Sequence, residues 1–193
     1  MASARRRSPL LTELASGTNL WCIHKAEHSP LWFGPGPGDA PINRFDAPAG
    51  EYRIGYFGMS RDGAFAEVFL RVPPVEIVAM DEIALRRITS IEITRPVRLA
   101  QLHGAGLARL GITASATTGA DYAHARHLAL ELWSQASPPD GVLYRARHDD
   151  EHVSVALFHT AESSLRVGSP RPLTDDRGWL ADLAVRYGFD FTP

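Results

Sequence analysis

The stretch NRFDAPAGEYRIGYFGMSRDGAFAEVFLR, residues 43–71, decides the prediction of the fold. Its middle, residues 52–57, mixes aromatic and β-branched residues between glycines, a pattern typical of a β-strand. Ser60 is a good N-cap for the helix predicted to follow. The apolar residues of that helix recur at helical spacing: Ala64, Phe65, Val68 and Phe69. The stretch therefore predicts a strand and a short helix, which ends before Pro73-Pro74 because neither proline has an N–H to donate.

Glu67 stands out on this helix because it lies between two apolar pairs. Burying such a carboxylate is costly unless a partner or a ligand compensates it. Two interpretations follow from spacing alone: a boundary residue whose carboxylate reaches water, and a functional carboxylate. Arg44 and Tyr56 belong to the same compact unit. A cation, an aromatic ring and a carboxylate brought together in this way favour the functional interpretation.

Segments spread over residues 20–189 resemble the RES-domain toxins of bacterial toxin–antitoxin pairs. They are LWFGPGPG, NRFDAPAGEYRIGYF, AFAEVFLR, LGITASATTGADY, DGVLYRARHD followed by VALF, and RYGF. The family is named for an Arg, a Glu and a Ser, and Arg44 and Glu67 match the first two. The chain departs from the pattern at Ala146, where the family has the Ser. It departs again at Trp21-Cys22, where the family usually has a Tyr-Arg pair.

The resemblance implies an α+β, ADP-ribosyltransferase-like fold in which two small β-sheets form a nucleotide cleft with flanking helices. It implies that NAD is the substrate, that no further cofactor is needed, and that the nicotinamide–ribose bond is cleaved. The acceptor differs within the family, so hydrolysis and phosphorolysis both remain open. Two alternatives also stay open: a non-catalytic protein that binds a nucleotide or an antitoxin, and an ADP-ribosyltransferase that modifies a protein. The expected protein partner is an antitoxin with an Xre-type helix-turn-helix.

The chemistry of NAD cleavage assigns a role to each predicted catalytic residue. The transition state is oxocarbenium-like at the ribose, so the Glu67 carboxylate is expected to stabilise positive charge. Arg44 offers forked donors to the pyrophosphate, and Tyr56 offers an aromatic face to nicotinamide or adenine. Substrate contacts are predicted for Arg44 and Tyr56 and for four further residues: Trp21, Cys22, Ala146 and Arg147.

The two departures predict an attenuated enzyme. A serine hydroxyl at position 146 that acted in the transition state is worth on the order of 10²-fold in rate. Replacing an arginine by Cys22 removes a charged hydrogen bond of about 1.5–3 kcal/mol. Cys22 itself is better interpreted as a small hydrophobic residue of a strand than as a nucleophile. Arg147 has two open interpretations, a second anion contact and a strand-end arginine in water.

Composition narrows the class of protein. With 193 residues, 45% hydrophobic and 22% charged, the chain fits a single RES-like domain over residues 19–193, preceded by a loosely ordered leader over residues 1–18. A net charge of −2 gives no general attraction to nucleic acid or to membranes.

The single cysteine fits a reducing, cytoplasmic location. His124 and His127 have no third ligand at helical spacing, so no metal site is predicted.

The remaining helices and strands are predicted from the spacing of apolar residues and from the glycine, proline and capping residues between them. Further strands are predicted over residues 19–25, 75–80, 90–94, 97–102, 142–147 and 153–158. Further helices are predicted over residues 81–87, over 104–110 with Gly111 as cap, over 121–135, and from Asp175 or Asp176 to Gly188. The glycine-proline run 34–38 lacks the ending of a phosphate-binding loop and is interpreted as a turn leading to Arg44. Short strands with interspersed helices indicate the α+β class.

Overall fold

The structure is a computed structural model that describes residues 8–71, 75–147 and 149–192. The strands are β1 Leu11–Leu14, β2 Asn19–Lys25, β3 Ile54–Gly58, β4 Ile77–Ala79, β5 Arg86–Ile93, β6 Val97–Leu102, β7 Gly141–Arg145, β8 Val153–Phe158, β9 Leu165–Val167, β10 Arg171–Pro172 and β11 Asp190–Thr192. The α-helices are α1 Arg61–Phe69, α2 Met80–Ala84, α3 Ala105–Leu110, α4 Ser115–Thr118, α5 Ala123–Trp133 and α6 Arg177–Tyr187. The predicted helix stop at Pro73-Pro74 lies outside the described residues.

Helix ends follow the predicted capping chemistry. The Ser60 hydroxyl accepts a hydrogen bond from the Gly63 N–H at 3.0 Å and so begins α1. Of the two aspartates proposed for α6, Asp176 is the cap, because its carboxylate accepts from the Trp179 N–H at 3.1 Å. Gly188 adopts φ 69° at the end of this helix, in the left-handed region that favours glycine. The strand–helix unit around Glu67 is confirmed in the predicted order.

The strands build a mixed sheet flanked by helices, which confirms the α+β class. Within the described residues the sheet has nine strands in the order β1-β6-β7-β8-β3-β2-β5-β10, with β9 also pairing with β5. The β6–β7 pair is parallel, and α3, α4 and α5 lie in the crossover connection that a parallel pair requires. The other pairs of this sheet are antiparallel. Strands β4 and β11 form a separate parallel pair. The prediction of two small sheets around the cleft is not confirmed.

One seam divides the large sheet into two wings. Strand β2 meets β3 at Trp21 and Gly58, and no further β2–β3 residue pair forms within the described residues. Beyond this point β2 continues to pair with β5, while β3 continues to pair with β8. The two strands therefore separate, and a cleft opens between the wing built on β2 and β5 and the wing built on β3, β8 and β7. One sheet that opens at a seam takes the place of the two expected sheets.

The sheet also extends into the predicted leader. Residues 11–14 form β1, which pairs antiparallel with β6 from Leu11↔Ala100 to Leu14↔Val97. Leu14 is buried in a cluster with Leu20, and this burial keeps the strand on the edge of the sheet. The prediction of a loosely ordered leader is therefore wrong for residues 11–14. Residues 1–7 lie outside the described part of the chain.

Helix α1 is held firmly against the core, and this fixes the helix that carries Glu67. Phe65 is fully buried and lies 4.6 Å from the Phe69 ring and 5.8 Å from the Phe189 ring, measured between centroids. Trp179 of α6 contacts Phe65 edge-on at 5.9 Å. Aromatic pairs of this kind add about 0.5–1.5 kcal/mol each beyond area burial. Among the described residues, no helix is both long and apolar enough to cross a membrane.

Candidate functional site

The cleft at the seam is the main candidate site. Its cavity volume is about 560 Å³, within the range of small-molecule sites of roughly 300–1,000 Å³. Residues 21–25 of β2 line one side and residues 56–58 of β3 line the other. Helix α1 contributes Ala64, Glu67 and Val68. The cleft therefore lies where the two wings separate, beside the helix that carries the predicted carboxylate.

Arg44 points its guanidinium into this cleft from the segment before β3. The residue is only 6% exposed, and its Nε and Nη1 atoms are buried without a hydrogen-bond partner among the described residues. The nearest groups are aromatic faces, with the guanidinium carbon 5.2 Å from the Tyr144 ring centre and 5.9 Å from that of Tyr122. Cation–π contacts offset only part of the free-energy cost of removing the guanidinium from water. A buried guanidinium with free donors is a site prepared for an anion.

Glu67 lines the same cleft and is half-buried. Its Oε1 atom accepts a hydrogen bond from the Arg147 N–H at 3.0 Å, so α1 is tied to the end of β7. Burial raises the pKa of the Tyr144 hydroxyl, the Glu67 carboxylate raises it further, and the Arg44 guanidinium opposes the shift. These charge effects show that Arg44 and Glu67 both act on one tyrosine at the cleft wall. The structure thus brings the two predicted residues together.

Tyr56 also lines the cleft, but its hydroxyl is already engaged. That hydroxyl donates to Asp46 Oδ1 at 2.8 Å and accepts from the Phe45 N–H at 2.9 Å. Burial, reinforced by the Asp46 charge, raises the pKa of Tyr56, so the hydroxyl stays protonated. The ring is left as a wall of the cleft, and the hydroxyl holds the segment that carries Arg44.

The other predicted contact residues divide into two groups. Trp21, Cys22 and Arg147 line the cleft. Burial raises the pKa of the Cys22 thiol to about 12, which makes it a poor nucleophile at neutral pH. Ala146 is 1% exposed and contributes to a second cavity of about 750 Å³, whose lining also includes Arg145 and Arg147. The structure therefore does not bring Ala146 into the lining of the cleft.

Sequence reasoning did not identify several residues of the cleft: Arg71, Arg86, Tyr122, Tyr144 and Ser154. Ser154 is 1% exposed and sits opposite Tyr144 in the β7–β8 register. Its hydroxyl is buried and lies beside the Tyr144 side chain, where it lowers the pKa of Tyr144 against the larger effect of burial. Strand alternation predicts that these paired side chains share a face. Only the position of the seam reveals that this face is the floor of the cleft.

The charges of the lining are strongly unequal. Its cations are Lys25, Arg44, Arg71, Arg86 and Arg147, and its carboxylate is Glu67. This excess of positive charge occurs in a chain whose net charge is −2. No group of three or more His, Cys, Asp or Glu side chains among the described residues is arranged to hold a metal ion. The arrangement can therefore bind an anion at several cations and stabilise a positive charge beside Glu67.

Comparisons with known proteins identify the family and the fold of this chain. Residues 19–177 match the family model described as RES domain. A Sinorhizobium fredii (strain NBRC 101917 / NGR234) protein described as probable toxin y4kH is 32% identical over 110 residues, which span 57% of this chain and 84% of that protein. A chain of the M. tuberculosis MbcT–MbcA toxin–antitoxin complex matches with a TM-score of 0.61 and 15% identity, over 82% of this chain and 85% of that chain. At that identity the structural match shows the fold alone.

Proposed function

Because the chain belongs to the RES domain family, we propose that it is a toxin of a toxin–antitoxin pair that cleaves the nicotinamide–ribose bond of NAD. The observation that carries this proposal is the buried guanidinium of Arg44, whose Nε and Nη1 atoms have no hydrogen-bond partner among the described residues, in the same cleft as the Glu67 carboxylate. NAD has one group that suits the Arg44 guanidinium and one that suits the Glu67 carboxylate. Its pyrophosphate is a dianion, and its ribose becomes cationic as the bond breaks.

In the proposed complex the pyrophosphate binds Arg44, whose fork suits two phosphate oxygens. The cleft lining also contains Lys25 and Arg86 on the opposite wing, and Arg86 pairs with Glu82 Oε2 at 3.3 Å. These cations lie on the wing where the family's usual arginine is replaced by Cys22, and their charge is proposed to replace part of what that arginine supplies. The Tyr56 ring remains the proposed wall for nicotinamide or adenine.

The Glu67 carboxylate is the proposed stabiliser of the oxocarbenium-like transition state. Nicotinamide is a cationic leaving group, so it departs with the bond's electron pair as a neutral molecule and needs no proton. In hydrolysis a water oxygen bonds to the ribose carbon and a proton is released. In phosphorolysis a phosphate oxygen takes that place. The Arg147 N–H orients the carboxylate and leaves its second oxygen for a ribose hydroxyl or the cation.

The fold and cellular setting are proposed on the same basis. An ADP-ribosyltransferase-like binding mode, with the dinucleotide across the seam, is consistent with a cleft between two wings. An antitoxin with an Xre-type helix-turn-helix is the proposed partner, and a toxin that acts on NAD is proposed to work in the cytoplasm. The solved toxin–antitoxin complex, which contains a chain of similar fold, supports a protein partner. Co-purification of the chain with the product of a neighbouring helix-turn-helix gene tests it.

Nicotinamide release from NAD tests the proposed activity. The purified chain is incubated with NAD, with and without inorganic phosphate, and the products are separated by chromatography. We expect nicotinamide with ADP-ribose in buffer, or a phosphorylated ADP-ribose when phosphate is the acceptor. Glu67→Gln provides the blank. NAD that binds tightly but remains intact in the parent contradicts the proposed activity and favours a non-catalytic binding protein.

A further inference from the structure

We infer that Asp46 is a positioning residue that holds Arg44 ready for the pyrophosphate of the substrate. It acts through the backbone of residues 41–46, here called the Arg44 segment. This inference rests on the proposed function, because it assigns a purpose to the same guanidinium. It adds a residue that touches neither the substrate nor the reacting bond.

Asp46 is fully buried and bonds back onto its own segment. Its Oδ2 atom accepts from the Ile42 N–H at 2.8 Å and from the Asn43 N–H. Its Oδ1 atom accepts from the Tyr56 hydroxyl at 2.8 Å. The carboxylate thus bridges the two residues before Arg44 and strand β3. A buried carboxylate that satisfies three donors is costly to disturb, because each donor becomes unpaired when it is removed.

Three further side chains fix the same backbone from other elements. The Tyr56 hydroxyl accepts from the Phe45 N–H at 2.9 Å, and the Tyr52 hydroxyl donates to the Phe45 C=O at 2.8 Å. From α5, Arg126 donates to the Asn43 C=O at 3.0 Å and to the Pro41 C=O at 3.2 Å. The backbone is therefore held immediately before and after Arg44. Asp46 links these anchors, since it contacts both the segment and Tyr56.

The Nε and Nη1 atoms of Arg44 have no hydrogen-bond partner among the described residues, so the direction of this side chain depends on its backbone and on the rings of Tyr122 and Tyr144. An unanchored arginine loses side-chain and backbone freedom when it binds an anion, and that loss weakens binding. A fixed backbone removes most of this cost before the substrate arrives. It also keeps the donors aligned, and a displacement of about 1 Å at a site of this kind can lower the rate about 10²-fold.

Asp46→Asn tests the bridge with little change in size. The asparagine oxygen can still accept from the two backbone N–H groups, but its NH₂ group then faces the Tyr56 hydroxyl. That hydroxyl already accepts from the Phe45 N–H and can no longer donate to position 46. We expect kcat/KM for NAD to fall about tenfold in Asp46→Asn and about 10²-fold in Arg44→Ala.

A double-mutant cycle separates positioning from general stability. If Asp46 acts through Arg44, adding Asp46→Asn to Arg44→Ala lowers kcat/KM by less than about twofold more. Both kcat/KM and the NAD dissociation constant are measured for the parent, the single variants and the double variant. Asp140→Asn is the matched control, because Asp140 Oδ2 accepts from the Arg98 N–H at 2.7 Å at a turn outside the cleft lining. Asp140→Asn should change kcat/KM by the same factor in the parent and in Arg44→Ala.

The outcomes distinguish this inference from the proposed function. Equal tenfold losses from Asp46→Asn in both backgrounds overturn the positioning role while leaving the NAD activity standing. An Arg44→Ala protein that binds and cleaves NAD like the parent overturns the anion site and this inference with it. Should Asp46→Asn fail to fold, Tyr56→Phe replaces it in the same cycle, since it removes the same link and keeps the ring. If Tyr56→Phe lowers kcat/KM by the same factor with and without Arg44, that result also overturns the inference.

Discussion

Two segments border the cleft, and they are held in different ways. The Arg44 segment is buried over residues 44–46 and bonds to side chains of β3 and α5. The turn after β7, described over residues 145–147 and 149–152, is more exposed and is closed partly by its own groups. Arg145 donates to the carbonyls of Asp150 and Glu151 at 2.7 and 3.1 Å. Both segments carry residues predicted to bind substrate, but the first segment is oriented by the protein core.

This difference teaches why one motif assignment carried over to the structure better than the other. The backbone of the Arg44 segment is fixed by hydrogen bonds from several elements. This backbone directs the Arg44 side chain into the cleft. At the end of β7 the strand pattern stops, and alternation no longer determines which side Ala146 faces. The backbone of Arg147 still reaches Glu67. The turn therefore contributes a backbone donor, whereas the Arg44 segment contributes a side chain.

The largest expected effect is that of Glu67→Gln. This variant keeps the acceptor for the Arg147 N–H but removes the charge that opposes the oxocarbenium ion. NAD cleavage should fall on the order of 10³-fold, while the melting temperature changes by no more than about 2 °C. Glu92→Gln, which alters a carboxylate paired with Arg166 on the sheet edge, is the control. Equal activity in the two variants would show that Glu67 is structural.

The contrast between the segments is sharpened by removing the guanidinium fork while keeping the charge. Arg44→Lys should lower kcat/KM about 10- to 10²-fold, because a lysine offers a point charge in place of the fork. Arg147→Lys should lower it by less than about threefold, because the backbone N–H is the group that contacts Glu67. Steady-state kinetics of both variants measure the difference. Similar losses at the two positions contradict it.

A third comparison concerns the two candidate positions for a hydroxyl. Ser154 has a buried hydroxyl in the cleft lining beside Tyr144, whereas Ala146 lines the second cavity. Ser154→Ala should lower NAD cleavage about tenfold, and Ala146→Ser should change it by less than about threefold. The family resemblance instead predicts a marked gain from Ala146→Ser if the serine is all that the enzyme lacks. Such a gain, measured as nicotinamide release, would restore position 146 as the family's serine.

The smallest effect is expected at Cys22. Since burial raises its thiol pKa to about 12, the thiolate is a minor species at pH 7–8. Iodoacetamide should label the folded protein at least about 100-fold more slowly than the unfolded chain at pH 7–8, because only the thiolate reacts. Cys22→Ala should keep NAD cleavage within about twofold. Rapid labelling that abolishes activity contradicts the interpretation of Cys22 as a packing residue.

Local patterns predicted much of the fold. The caps at Ser60 and Asp176, and the left-handed glycines that end helices, follow from capping chemistry that acts over a few residues. The pairing of β7 with β8 likewise follows from alternation on both sides of a short polar turn. Glu67 and Arg44 could be recognised because they belong to one continuous motif.

The other parts of the fold and of the site depend on contacts between residues that are distant in the sequence. The seam at Trp21 and Gly58 arises from competition between strands far apart in sequence, and no local pattern reports it. Strand β1 was missed because a short edge strand carries little periodic signal, although Leu14 is buried. Ser154 was missed for a related reason, since its place in the cleft depends on that seam. The role of Asp46 required its bonds to be seen.

The most direct test of the account is a crystal structure of the Glu67→Gln protein with NAD bound. The account predicts that NAD lies in the cleft between β2 and β3. Its pyrophosphate oxygens should lie within hydrogen-bond distance of the Arg44 guanidinium, and its nicotinamide ribose should lie beside position 67. NAD bound in the second cavity near Ala146, or away from Arg44 altogether, would contradict it.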